Sequence, residues 1–135
     1  MSCEKIPLTL EDAEKIRDKA EKEAARLLIL AGLHVFPGRS IRSKHPVANK
    51  NGDIKKTVHH PEFYVEDPAT GWFKHVEVTN GNGILPSKQA QYRVVKAAGL
   101  GARYCVFDAD IRLRLHRAEE EGKLQKAVRK VLGWD

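Results

Sequence analysis

Two acids, Glu62 and Glu77, stand in the stretch HHPEFYVEDPATGWFKHVEVTNGNG, each beside a strand-like alternation of apolar residues. Around Glu62 the alternation sends Phe63 and Val65 to one face and Glu62 and Tyr64 to the other. Around Glu77 it sets Val76 and Val78 against His75, Glu77 and Thr79. If the two strands pair as neighbours, both carboxylates share a face. Carboxylates held close repel and raise each other's pKa, so a fold that keeps them together usually binds a divalent cation between them. No grouping of Cys and His supports zinc, and hard oxygen ligands suggest Mg²⁺ or Mn²⁺. Such a cation polarises a phosphodiester oxygen and lowers the pKa of bound water, which points to phosphodiester hydrolysis. The spacing equally allows two ordinary surface acids at strand ends.

The charge balance agrees with a polyanionic partner. In 135 residues Lys and Arg outnumber Asp and Glu by 24 to 18, and the net charge is +6. The segment GRSIRSKHPVANKNGDIKK concentrates Arg39, Arg42, Lys44, Lys50, Lys55 and Lys56 against Asp53. A basic ribbon of this kind can track phosphates, while lysines on an edge hairpin can also serve to block sheet-to-sheet pairing. His59 and His60 adjoin Glu62, and His75 shares the face of Glu77, so a metal-independent cleavage with histidine as general base is a further route. Cys3 and Cys105 are far apart and show no ligand spacing, as expected of a reduced intracellular protein. The segment MSCEKIPLTL lacks the apolar run of a signal peptide, and no window approaches a membrane span. The expectation is a soluble, cytoplasmic protein with nucleic acid and no membrane as partner.

The elements that must position these residues follow from periodicity. The length suits one domain over residues 1–135. Thr9 and Asp12 form an approximate capping box, and Ile16, Ala20, Ala24, Leu27, Leu28 and Ala31 recur at helical spacing, predicting one helix that ends at Gly32. From Leu33 to Val65 the pattern is that of two strands joined by a hairpin at Asn51-Gly52. The turn EDPATG leads to a third strand, GWFKHVEVTN, which completes a meander. Pro86 opens a helix to about Ala98 with Ala90, Val94, Ala97 and Ala98 inward, and ARYCVF follows as a strand with Cys105 buried. Ile111, Leu113 and Leu115 fit either a strand or a helix, and Lys123 to Leu132 reads as helix. The predicted fold class is α/β, a mixed sheet flanked by helices, with a C-terminal helix.

HPEF followed by VEVT resembles the bipartite motif of the PD-(D/E)XK nuclease superfamily, whose restriction-endonuclease-like core has the order αβββαβ. The resemblance covers about residues 10–108 and implies that Glu62 and Glu77 bind the metal, with the Val78 carbonyl as an added ligand. A helix acid often assists in the family. Glu21 stands before Gly32 much as in small phage and archaeal junction-resolving members, with Glu23 as second choice. Glu62 replaces the usual Asp, and Thr79 stands where the family has lysine. Some members supply that lysine from the following helix, where Lys88 lies; Gln89 is similar to a glutamine of the same helix. Lys88 fits a solvated first-turn residue equally well, and Lys74 points to the face opposite Glu77. The resemblance implies a Mg²⁺- or Mn²⁺-dependent endonuclease, DNA favoured over RNA, acting on branched or structured DNA among its substrates. It also implies a homodimer, since small members commonly pair. Two alternatives stay open: a non-catalytic nucleic-acid-binding module that kept the fold and lost the lysine, and a metal-independent RNA endonuclease using His59, His60 or His75.

Overall fold

Thr9 and Asp12 satisfy each other's backbone N–H groups at 3.1 and 2.9 Å and start helix α1 (Leu10–Glu14). The helix does not run on to Gly32. The Asp18 carboxylate accepts the Glu21 N–H at 2.9 Å and opens a new helix, α2 (Lys19–Leu30). An aspartate at this place offers the backbone a cap in competition with a continuous helix, so the expected single helix is two. The computed structural model describes residues 6–48, 51–52, 55–80 and 86–134.

Strand β1 (His34–Pro37) leads into a hairpin, β2 (Ile41–Ala48) and β3 (Lys55–His59), and then to β4 (Phe63–Glu66) and β5 (Phe73–Val78). Helix α3 (Pro86–Ala97) crosses to β6 (Tyr104–Phe107), and α4 (Ala109–Glu120) and α5 (Leu124–Leu132) follow. Among the described residues β1, β4, β5 and β6 form a mixed sheet in that order, antiparallel except that β6 runs parallel to β5. A parallel neighbour needs a crossover, and α3 supplies it. A meander is present, but it is made of β1, β4 and β5 and leaves out the two strands on either side of Asn51-Gly52 that the sequence predicts for it. The basic hairpin is inserted between its first two strands as a separate two-stranded sheet. The hairpin's apolar residues explain the separation: Ile41 and Val47 pack with Val94 and Val95 of α3, away from the main core.

One face of the main sheet buries Val35, Phe63, Val65, Val76, Val78 and Phe107 against α2, α4 and α5. The ambiguous Ile111 to Leu115 segment is helical because Asp108 caps it, accepting the Ile111 N–H at 2.8 Å, and Leu115 enters the core. On α3 the buried residues include Ala90, Val94 and Val95, whereas Ala97, expected inward, is exposed. Cys105 is half-buried, and burial pushes its thiol up to about 11, so it is chemically quiet near neutral pH. No helix among the described residues is long and apolar enough to cross a membrane.

Candidate active site

Pairing of Phe63 with Val76 places the preceding residue of one strand against the following residue of the other, so Glu62 faces Glu77 on the second face of the sheet. Gly38 fixes the backbone there. Its N–H donates to the Glu62 carbonyl at 3.0 Å, and a Cβ at this position would collide with the Pro61 carbonyl oxygen. Only glycine permits that approach. Helix α2 then brings Glu21, in its first turn, to the same carboxyl group. Glu62 is within hydrogen-bonding reach of both Glu21 and Glu77. Burial first, then contact with Glu21 and the charge of Glu77, pushes its carboxyl from an ordinary 4.5 up to about 8. Glu62 therefore holds a proton at neutral pH, and that proton lets three acids sit together.

Glu77 is 2 % exposed and meets a second buried group, His59, at 3.3 Å from Oε2 to Nε2. The same Nε2 lies 2.9 Å from the Tyr104 hydroxyl. Burial and the charge of Glu77 raise the Tyr104 pKa, so its hydroxyl stays protonated. His59 closes the hairpin's second strand, which is how an insertion outside the main sheet reaches the acid cluster. At the end of β5 the Thr79 N–H donates to the Phe107 carbonyl at 3.0 Å. Arg112, buried on α4, donates to the carbonyls of Thr79 and Phe107 at 2.5 and 3.1 Å. The guanidinium thus clamps the ends of β5 and β6 together.

The remaining candidates divide. Glu23, the alternative helix acid, turns away from the cluster and lies 2.7 Å from Nε2 of His116. Val78 adjoins Glu77 with its side chain in the core. Lys88 and Gln89 belong to the first turn of α3, but their side chains lie outside the described residues, as do those of Lys55 and Lys56 and the whole of Lys50. Arg42 and Lys44 are exposed on β2, lining a cavity of about 400 Å³ with His45, Val47, Ala97 and Ala98. Arg39 instead lies over the Tyr64 ring at 3.9 Å. His60 is exposed and contacts the Ser40 hydroxyl at 2.7 Å, and Lys74 donates to the Ala102 carbonyl at 2.6 Å, away from Glu77. Gly38, Tyr104 and Arg112 are absent from the sequence expectation. The glycine in FPGRS could have signalled a close backbone approach, but its partner lies more than twenty residues away.

Among the described residues no group of three or more His, Cys, Asp or Glu side chains is placed so that it could hold a metal ion. The acids are drawn together around the Glu62 proton instead. Their chemistry still fits a hard divalent cation: carboxylate oxygens whose mutual repulsion a cation would relieve in place of that proton. Comparison with family models, curated proteins and solved structures finds no match.

Proposed function

We propose that this chain is a divalent-metal-dependent endonuclease of PD-(D/E)XK type that hydrolyses phosphodiester bonds in DNA, branched or structured DNA among its substrates. The observation that carries the reading is the convergence of Glu21, Glu62 and Glu77, from a helix and two adjacent strands, around one protonated carboxyl. The order of helix, three-strand meander, helix and parallel strand agrees with it, as does the net charge of +6. Glu62 and Glu77 would hold Mg²⁺ or Mn²⁺, with Glu21 assisting and the Val78 carbonyl as an added ligand. When bound, the cation supplies a polarised phosphate oxygen and a water of lowered pKa. Gly38 holds the Glu62 backbone, and His59, itself against Tyr104, orients Glu77. The chain would act as a homodimer.

Thr79 in the lysine position favours a second reading, a nucleic-acid-binding module that kept the fold. Nicking of supercoiled plasmid with and without Mg²⁺ separates the two. The nuclease reading expects nicking that needs Mg²⁺ and disappears in Glu77→Ala. Lys88→Ala should slow it by a factor of about 10² to 10³ if that residue supplies the transition-state charge. Inert wild-type protein that gains Mg²⁺-dependent nicking on Thr79→Lys would establish the binding module. Cleavage that survives both Glu77→Ala and chelation would point to histidine chemistry.

A further inference from the structure

We infer that the sheet face beside the acid cluster is a platform for a single-stranded stretch of DNA leaving the cleavage site. The inference deepens the nuclease reading and rests on it only for what lies at the strand's end. Along β4 and β5 the row after Glu62 and Glu77 is Tyr64 opposite His75, and the next is Glu66 opposite Phe73, all on the same face as the acids. The middle row continues across the whole sheet as Phe36, Tyr64, His75 and Tyr104 in register; Phe36, Tyr64 and His75 are buried, so the row is a support and what lies over it makes the surface. Successive rows on one face are about 6.6 to 6.8 Å apart, so the aromatic row begins directly beside the acids.

Two arginines lie on this surface. Arg39 sits over Tyr64 at 3.9 Å, Tyr64 stacks on Phe73 at 5.2 Å and 26°, and Arg103 sits over Phe73 at 4.8 Å. Both arginines are exposed and Phe73 is half-buried, so the guanidiniums present an outer surface to solvent. A guanidinium held by a ring can carry an unstacked base on its plane and a phosphate at its N–H edge, a pairing that single strands use and stacked duplex bases cannot. His75 lies beneath this layer. It is 6 % exposed, and among the described residues its Nδ1 has no hydrogen-bond partner. Glu66 also belongs to this face, flanked by rings and close enough to Tyr64 to act on its hydroxyl.

The test is anisotropy titration in EDTA of a labelled oligothymidylate and of a blunt duplex of equal length. Wild type should bind the single strand more tightly. Arg39→Gln with Arg103→Gln should weaken single-strand binding roughly tenfold or more and leave duplex binding within about twofold. Both arginines are exposed and their ring contacts are worth little there, so the melting temperature should fall by no more than a few degrees. The lysine pair, Arg39→Lys with Arg103→Lys, keeps the charge without the plane and should recover only part of the affinity. Unchanged single-strand binding, equal loss on both substrates, or full recovery by lysine would each overturn the platform. Plasmid nicking reports on the other reading: a chain that never nicks but shows this preference defeats the nuclease and leaves the platform standing, and nicking without the preference does the reverse.

Discussion

If the acid cluster holds a cation, Glu62 ties its binding to pH. With its carboxyl pushed up to about 8 by burial and by Glu21 and Glu77, a cation that takes the carboxylate must displace a proton. At pH 6 only about one Glu62 in a hundred is ionised, and at pH 7 about one in ten. Apparent affinity for Mn²⁺ should therefore climb roughly tenfold per pH unit up to about 8 and then level off. A carboxyl at its ordinary 4.5 would give a flat curve over the same range. Calorimetric titration in buffers of different ionisation enthalpy counts the protons directly. The expectation is close to one per ion at about pH 6, about half at pH 8 and almost none at pH 9.5. Glu62→Gln should bind weakly and without pH dependence. Flat wild-type affinity between about pH 6 and 8, with no proton release, would refute the reasoning. Folding stability carries the opposite slope. Between about 4.5 and 8 the folded chain keeps a proton that the unfolded chain has lost, so without cation stability falls as pH rises. The slope is at most about 1.4 kcal/mol per pH unit, and less because water reaches half-buried Glu62.

Gly38→Ala sets a methyl against the Pro61 carbonyl, which cannot swing aside as a side chain would, so it should cost about 1 to 3 kcal/mol and weaken Mn²⁺ binding together. Unchanged melting and unchanged affinity would remove Gly38 from the site. Glu21→Ala should weaken Mn²⁺ less than Glu77→Ala, which should abolish binding, and calorimetry of the two variants compares them. If Arg42 and Lys44 on the hairpin touch phosphates, replacing both with Ala should reduce the salt slope of duplex binding by roughly 0.9 for each phosphate that is no longer neutralised. An unchanged slope would assign them to guarding the hairpin edge.

Local signals in the sequence predict most of the elements, and they fail where tertiary partners decide. The capping box at Thr9, the turn at Pro68 to Gly71 and the α3 crossover all depend on residues within a few positions of one another. The hairpin reads as part of the meander because its alternation is that of any strand pair. Its destination depends on Val94 and Val95, which lie more than thirty residues beyond it. The acids show the same division. Glu62 and Glu77 are legible from alternation on two adjacent strands, whereas Glu21 needed the family resemblance, and its contact with Glu62 depends on how α2 packs. His59 was visible as a neighbour of Glu62 in sequence, yet it meets Glu77, because β3 belongs to another sheet.

If the chain is the proposed nuclease, Thr79 in the lysine position leaves a charge to be found, and the fold narrows where it can come from. Arg112 is committed to the Thr79 and Phe107 carbonyls, so its charge braces the strand ends. His59 is placed differently, 3.3 Å from Glu77. A lysine stays charged throughout the range in which Glu62 ionises, but an imidazole does not. If Lys88 supplies the charge, the cleavage rate should rise with Glu62 ionisation and level off above about pH 8. If His59 supplies it, loss of the histidine proton opposes the gain in cation binding, and the rate should pass through a maximum and fall. His59→Gln separates the two, since it can keep a hydrogen bond to Glu77 but cannot titrate. A maximum that becomes a plateau in this variant, at a rate lowered throughout, assigns the charge to His59. A maximum that persists unchanged in His59→Gln excludes His59 as its source.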